Sequence, residues 1–292
     1  LSECLGGRAE AWDLAFAELR PHPGQVRATA ELQARIAGAA RLRSAPLAAR
    51  SLGPGPAARE EIAQDAYTLR CVPQVAGAVL DTLDWHDRIL GTELNSVTDN
   101  PIFPADGPIP ALHGGNFMGQ HVGLASDALA TALTVLAGLA ERQIARLTDE
   151  RLNCGLPAFL HGGRAGLHSG FMGAQVTATA LVAELRSAGP ASLQSISTNG
   201  ANQDVVSMGT IAARRARDAA ARASEILAIL ALTVAQAIDL RTREGGPRFS
   251  RSADALREAV RAVSPALEDD RPLAGDIAAM ARVLRGRECP GG

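Results

Sequence analysis

The feature that most constrains this chain is a helical pattern that runs without a break from residue 207 to residue 241. A second pattern covers residues 117–147 and, at about 1.5 Å per residue, would span roughly 45 Å. Helices of this length usually run through the core of an assembly, where they pair with their copies in other subunits. The two patterns predict an all-α protein with a long central helical bundle.

Composition agrees with helices. Hydrophobic residues make up 47% of the chain but aromatic residues only 3%, and Ala and Leu supply most of the apolar content. This mixture favours helices packed through small side chains over a β-sandwich. The formal net charge is −2, with acidic and basic residues scattered along the chain. We therefore expect neither a nucleic-acid partner nor a polyanionic membrane surface.

Shorter helical patterns flank the two long ones. They cover 1–20, 26–43, a stretch from Pro73 to about Thr92, 172–187, 252–263 and 272–286. The sequence "PHPG" at 21–24 divides the first two, and a Pro/Gly/Ala-rich connector covers 43–60. Three irregular, polar stretches remain, at 95–116, 152–170 and 187–206. Loops this long in a compact protein are more often functional than idle.

Three further predictions concern the setting and the extent of the protein. The most apolar stretch, 122–140, contains Asp127 and small polar residues, so we interpret it as a buried core helix and not a membrane span. The cysteines are widely spaced and form no C-x-x-C pair, which fits a reducing cytoplasm better than a disulfide framework. The chain also starts at Leu1 inside a helical pattern, and we expect that an N-terminal part of a longer polypeptide is missing.

The stretch "QDAYTLR" (64–70) contains the only tyrosine of the chain. If the stretch is helical, Gln64, Tyr67 and Arg70 share one face. A phenol is a poor base at neutral pH unless a nearby cation or donor stabilises the phenolate. Arg70 is placed to do so, or to hold a substrate carboxylate with its two-pronged fork. The alternative is a tyrosine packed on an arginine stem at a helix end.

Three loop motifs are further candidates, and each has a structural alternative. Asn100 lies in "NSVTDNP" (95–101), where an Asx-turn that caps the preceding helix would explain the polar residues. Phe117 follows two glycines in "HGGNFMGQHV" (113–122), as a pocket wall or as ordinary loop. Asn199 and Gln203 lie in "STNGANQDVVSMGT" (197–210), where amides suit a polar ligand or the capping of the next helix. The six histidines lack ligand spacing, so no metal site is expected.

Taken together, five motifs in order resemble the aromatic amino acid ammonia-lyase family, which includes histidine, phenylalanine and tyrosine ammonia-lyases and the related aminomutases. They are "QDAYTLRCVPQV" (64–75), "NSVTDNP" (95–101), "GGNFMGQHV" (114–122), "GLHSGFMGAQVTATALVAE" (166–184) and "NGANQDVVSMGTIAARRA" (199–216). The resemblance covers residues 1–245, the central helical-bundle part, and leaves 246–292 as a C-terminal part of short helices. Its bacterial tyrosine-specific branch is the nearest match.

The resemblance implies the all-α fold of the fumarase/aspartase-like superfamily, with extended active-site loops. It also implies a homotetramer whose active sites are shared between subunits, and an electrophile, 4-methylidene-imidazol-5-one (MIO), formed from an internal Ala-Ser-Gly. No Ala-Ser-Gly occurs in this chain. The electrophile and a second catalytic tyrosine are therefore expected in a part of the polypeptide outside this chain, and this chain alone is expected to be inactive.

The resemblance also assigns roles to residues. Arg70 would bind the substrate carboxylate, and Tyr67 would contact the amino group and assist proton transfer. Gln64 and Asn100 would support the carboxylate end and the MIO ring, and Phe117 would pack against that ring.

Asn199 and Gln203 would complete the pocket around the ring and the substrate amine. Family members that act on histidine typically carry a glutamate in place of Gln203, so the neutral amide favours tyrosine or phenylalanine. The expected reaction is elimination of ammonia from L-tyrosine, or from L-phenylalanine, to give trans-p-coumarate or cinnamate. Alternatives are a tyrosine 2,3-aminomutase, a histidine ammonia-lyase and a non-catalytic helical scaffold.

Overall fold

The structure is a computed structural model that describes residues 1–43 and 64–286. Nine α-helices lie within these two ranges. They are α1 (Leu14–Leu19), α2 (Pro23–Ile36), α3 (Tyr67–Arg70), α4 (Val72–Leu94), α5 (Gln120–Thr148), α6 (Met172–Ser187), α7 (Gly209–Glu244), α8 (Arg251–Arg261) and α9 (Ala274–Leu284). Single 3₁₀ turns cover Ala9–Trp12 and Ala158–Leu160. Strand-like pairing in the described part of the chain is limited to isolated bridges, and the all-α prediction is confirmed.

The core lies along α5 and α7, which pack against each other more extensively than any other pair of helices. Their buried positions recur at three- and four-residue spacing, as expected for one face of a helix. On α7 these include Ala223, Ile226, Ile229 and Leu232, and on α5 Ala137, Ala140, Ile144 and Leu147. Alanine at several of these positions lets the two backbones approach closely. Helices α8 and α9 pack on α7 and add Val260 and Met280 to the same core.

Both long helices have the length and composition of a membrane span, and they are the two helices of the described residues that do. Core helices of bundles pass the same test, so the property is a weak indication by itself. In the most apolar 18-residue stretch of each helix, 67% of the residues are buried inside this chain for α7 and 33% for α5. The pairing of α5 with α7 agrees with the interpretation of 122–140 as part of a core helix.

The prediction of one helix over 1–20 is wrong. The chain forms turns from residue 2 to residue 6, where Gly6 has a φ of +57° that does not occur in a right-handed helix. A new helix then begins after Asp13, whose side chain accepts a hydrogen bond from the Ala15 amide at 2.9 Å. Asp13 therefore acts as an N-cap and separates α1 from the turns before it.

The second predicted helix, 26–43, is displaced. It begins at Pro23, because proline is tolerated in a first turn where its missing N–H needs no partner. It ends at Ile36, ahead of Gly38, which has a φ of +77°. The predicted connector at 43–60 lies outside the described residues apart from residue 43.

Two glycines allow α2 and α4 to cross in close contact. A Cβ atom added at Gly24 would lie 2.1 Å from the carbonyl oxygen of Gly77, and one added at Gly77 would lie 2.5 Å from the amide nitrogen of Gln25. Gly24 also donates its N–H to a carboxylate oxygen of Asp81 at 2.7 Å. This crossing fixes the start of α4, which immediately follows α3.

We expect Gly77→Ala to destabilise the folded protein by about 1–3 kcal/mol, because the added methyl group overpacks the α2–α4 crossing. Gly91→Ala is the matched control in the same helix. Nothing lies within 4 Å of a Cβ atom at Gly91, so alanine there should be neutral or stabilise by up to about 1 kcal/mol. Chemical denaturation monitored by circular dichroism measures both changes. Equal effects of the two substitutions would contradict the close crossing.

A buried carboxylate connects α5 to α6. The Glu141 side chain is 3% exposed and accepts hydrogen bonds from the Arg142 guanidinium and, at 2.8 Å, from the Thr179 hydroxyl. Burial alone would raise the pKa of Glu141, but the hydrogen bonds from Arg142 and Thr179 outweigh it and lower that pKa below its usual value. The carboxylate therefore stays ionised in the α5–α6 contact.

Candidate active site

Helix α3 is a single helical turn that carries two of the predicted residues. Gln64 precedes its N-cap, Ala66, so the expected common helix face of Gln64, Tyr67 and Arg70 is not formed. The three side chains meet in another way. Arg70 Nη1 donates a hydrogen bond to Gln64 Oε1, and Arg70 Cζ lies 4.7 Å from the centroid of the Tyr67 ring. Amide, phenol and guanidinium therefore form one cluster.

Packing within this chain does not explain the position of Tyr67. Its side chain is 70% exposed, and Leu69 is the residue of α3 that enters the core. Arg70 is half-buried, and its Nε atom has no hydrogen-bond partner among the described residues. The Nε–H of Arg70 is therefore a buried donor that the described residues leave without an acceptor.

The loop 95–119 holds Asn100 and Phe117. The side chain of Asn95 donates to the Gly91 carbonyl at 2.7 Å and so caps α4. Capping of the preceding helix is the structural alternative considered for the whole motif 95–101. Asn100 does something else: its Oδ1 accepts from the Gly114 amide at 2.8 Å and ties the two sides of the loop together. The Phe117 ring is 54% exposed.

The loop 188–208 presents Asn199 and Gln203 on one tight turn. The backbones of Thr198 and Gln203 pair, at 2.9 Å and 3.3 Å, and Gln203 Oε1 accepts from the Thr198 hydroxyl at 3.0 Å. Asn199 has a φ of +53°, a conformation that asparagine tolerates better than most residues.

A buried aspartate fixes this second loop to α5. Asp127 is 8% exposed and accepts from the backbone amides of Ala191 and Ser192, at 3.1 Å and 2.7 Å. The two loops also approach each other where α5 and α7 begin, since a Cβ atom added at Gly209 would lie 3.0 Å from the Gly119 carbonyl oxygen. Loops 95–119 and 188–208 thus share one end of the bundle, which we call the loop end.

Helix α3 lies at the other end of α5, which we call the α3 end. Gln143, near the C-terminus of α5, donates its side-chain amide to the Thr68 carbonyl at 2.8 Å. Gln143 is about 24 residues from Gly119, the N-cap of α5, and at about 1.5 Å per residue this is roughly 36 Å. That separation is far longer than an aromatic amino acid. One chain therefore does not bring all the predicted residues together.

Sequence reasoning missed the residues that support these groups. Gln143 and Trp12 reach the backbone of α3 from positions 75 and 57 residues away, and nothing in a local pattern signals such contacts. Asp127 did give a signal, because an acidic residue inside an apolar helix requires a polar partner. Within 1–43 and 64–286, no group of three His, Cys, Asp or Glu side chains is placed to hold a metal ion.

Comparisons with known proteins identify the family. Residues 1–263 match the family model described as aromatic amino acid lyase. The chain belongs to the aromatic amino acid lyase family. It is similar to the tyrosine ammonia-lyase of Cereibacter sphaeroides, with 65% identity over 285 residues, which are 97% of this chain and 54% of that protein. The chain therefore spans about half the length of the curated relatives that it matches.

A second relative shows that the family supports more than one reaction. The MIO-dependent tyrosine 2,3-aminomutase of Streptomyces globisporus is 46% identical over 282 residues, covering 94% of this chain and 51% of that protein. The crystal structure of tyrosine aminomutase from the same organism superimposes with a TM-score of 0.89 and 42% identity, over 98% of this chain and 55% of that one. The predicted all-α fold of the fumarase/aspartase-like superfamily is confirmed.

Proposed function

We propose that this chain is part of a tyrosine ammonia-lyase that eliminates ammonia from L-tyrosine to give trans-p-coumarate, a phenylpropanoid acid. The observation that carries the proposal is the 65% identity to the Cereibacter sphaeroides tyrosine ammonia-lyase over nearly the whole chain. The cluster of Tyr67, Arg70 and Gln64 supports it, since these groups suit an α-amino acid substrate.

Arg70 is the group proposed to bind the substrate carboxylate. A guanidinium and a carboxylate form two parallel hydrogen bonds, which fix orientation as well as charge. Gln64 Oε1 accepts from one nitrogen of Arg70 and so limits the rotation of the fork. The Tyr67 ring lies against the guanidinium, a contact that holds the phenol next to the bound carboxylate and therefore close to the amino group attached to the same carbon.

Tyr67 is the proposed proton-transfer group at the amine. The β-proton of the substrate is weakly acidic and ammonia leaves poorly, so the reaction needs a positioned acid or base at each centre. Arg70 lies beside the ring, with its Cζ atom 4.7 Å from the ring centroid, and so keeps the phenol at the carboxylate end of the proposed site. The exposed position of Tyr67 lets its hydroxyl reach a substrate instead of a core neighbour.

The residues at the loop end fit a neutral, flat electrophile. Asn100, Asn199 and Gln203 supply uncharged amides, and Phe117 supplies an exposed aromatic face. When bound, the MIO ring supplies an electron-poor carbon that makes the substrate amine a better leaving group. The amides would hydrogen-bond to it and the Phe117 ring would exclude water from one of its faces.

We propose further that the site is completed by copies of the chain in a cytoplasmic homotetramer. The α3 cluster and the loop end lie roughly 36 Å apart along α5, so a site that uses both draws them from different copies. A symmetric assembly brings opposite ends of paired long helices together. This agrees with the expectation, from the lengths of α5 and α7, that the bundle continues into other subunits.

The test is the reaction itself. We expect the protein expressed from its complete reading frame to convert L-tyrosine into trans-p-coumarate, measured by near-ultraviolet absorbance and chromatography. L-Phenylalanine should react more slowly and L-histidine not at all, since Gln203 offers no charge to an imidazole. Absence of coumarate would refute the proposal. Preferential release of urocanate from histidine would identify the protein as a histidine ammonia-lyase.

A second candidate is a tyrosine 2,3-aminomutase, which the 46% identity to the Streptomyces globisporus enzyme favours. An aminomutase returns ammonia to the β-carbon instead of releasing the aryl acrylate. The same chromatogram separates the two activities, because β-tyrosine with little coumarate would identify the aminomutase.

A further inference from the structure

Helix α3 cannot hold its own conformation. It has four residues, whereas isolated helices shorter than about 12–15 residues are marginal in water. Its N-cap, Ala66, has no side chain that accepts a hydrogen bond from the first turn. The orientation of Tyr67 and Arg70 must therefore be imposed by contacts from other parts of the chain.

Pro73 creates a specific need at α3. In a continuous helix the carbonyl of Leu69 would accept from the amide of residue 73, but proline has no N–H. The chain bends here, and Cys71 is at once the C-cap of α3 and the N-cap of α4. Leu69 is 4% exposed, so its carbonyl requires a donor from elsewhere.

Two distant side chains donate to consecutive carbonyls of α3. Trp12 Nε1 donates to Leu69 at 3.1 Å, in a buried hydrogen bond. Gln143 Nε2 donates to Thr68 at 2.8 Å. Both donors are nearly inaccessible, at 3% and 9% exposure. Trp12 is itself held by Gln33, whose amide donates to the Trp12 carbonyl at 3.0 Å.

We propose that Trp12 and Gln143 are positioning residues that hold α3 in the orientation in which Tyr67 and Arg70 meet the substrate. The two bonds approach from different elements, one from the 3₁₀ turn and one from α5, and they fix neighbouring carbonyls. Together they prevent both rotation and translation of the short helix. The expected effect on kcat/KM rests on the proposed function. The expected effect on the conformation of α3 rests on the two hydrogen bonds alone.

The experiment compares Gln143→Met and Trp12→Phe with the wild-type protein expressed from the complete reading frame. Each substitution removes the donor to α3; Gln143→Met keeps the approximate size of the side chain, and Trp12→Phe keeps an aromatic ring but loses volume. We expect the amides of Leu69, Arg70 and Cys71, which bond within α3, to exchange hydrogen about tenfold faster or more. With tyrosine, kcat/KM should fall roughly tenfold to hundredfold, with KM raised, because a small misplacement of Arg70 weakens carboxylate binding.

Gln236→Met is the matched control. Gln236 is also a buried α-helical glutamine that donates to two backbone carbonyls, Leu160 and Leu267, at 3.2 Å and 2.9 Å, and the hydrogen bonds of its side chain go to partners outside α3. We expect this variant to lose stability while KM and α3 exchange remain at wild-type values.

Unchanged α3 exchange in both Gln143→Met and Trp12→Phe would overturn the proposal, and so would an equal rise of KM in Gln236→Met. Failure of Gln143→Met to fold, with Gln236→Met folded, would also overturn it, since Gln143 would then support the whole bundle. A wild-type protein that releases neither coumarate nor β-tyrosine would count against the proposed function only. The exchange comparison would still decide whether these residues hold α3.

Discussion

Tyr67→Phe is expected to lower kcat for L-tyrosine by roughly 10²–10⁴-fold, the usual contribution of a positioned acid or base. The substitution removes the hydroxyl and keeps the ring that lies 4.7 Å from Arg70 Cζ. Substrate binding through Arg70 should therefore persist, and KM should change much less than kcat. Steady-state kinetics, with circular dichroism and size-exclusion chromatography on the same preparation, measure each of these quantities.

Phe16→Leu is a suitable comparison for this variant, because Phe16 is another exposed aromatic residue, at 55% exposure on α1. It should retain wild-type kcat. A Tyr67→Phe protein that fails to fold or to assemble would show instead that the tyrosine is structural. A folded variant with full activity would remove Tyr67 from the chemistry.

Arg70→Ala is expected to raise KM steeply. Loss of a charge-assisted hydrogen-bonded pair costs about 1.5–3 kcal/mol, which corresponds to a fall in kcat/KM of roughly tenfold to 150-fold. Arg70→Lys should recover only part of the loss, because lysine keeps the charge but not the planar fork that matches a carboxylate. Kinetics with L-tyrosine and with its decarboxylated analogue tyramine as a competitor separate the carboxylate contact from the rest of the site.

Arg88→Ala controls for the removal of an arginine from the neighbouring helix. Arg88 is an exposed residue of α4 and should leave KM unchanged. Kinetic silence of Arg70→Ala would show that the substrate carboxylate binds elsewhere. If tyramine inhibited wild type and Arg70→Ala equally while KM rose only in the variant, the carboxylate assignment would be supported.

Sequence reasoning anticipated the fold class because long helical periodicity survives in almost any packing arrangement. The stretches around α5 and α7 were therefore located to within a few residues. It failed at 1–20, where Gly6 and the Asp13 cap interrupt an otherwise helical composition. The start and end of a helix depend on local capping interactions, and an amphipathic pattern alone does not show where these occur.

The candidate site, like the fold, could be predicted from the sequence only in part. The cluster of Gln64, Tyr67 and Arg70 was predictable from proximity along the chain, although Gln64 reaches Arg70 from outside the helix. The roles assigned to Asn100, Phe117, Asn199 and Gln203 stay predictions. Their common position at the loop end depends on long-range contacts such as the bonds of Asp127 to residues 191 and 192, which no spacing rule contains.

The separation of α3 from the two loops along α5 has a genetic consequence. In the proposed enzyme, inactivating lesions would fall into two groups, those near Arg70 and those near Gln203, which lie at opposite ends of the same chain. If the proposed homotetramer forms, a cell that makes both defective chains would contain mixed assemblies in which some sites take both of their halves from undamaged ends. Two inactive alleles of this gene would therefore complement each other when they belong to different groups, and would fail to do so within one group.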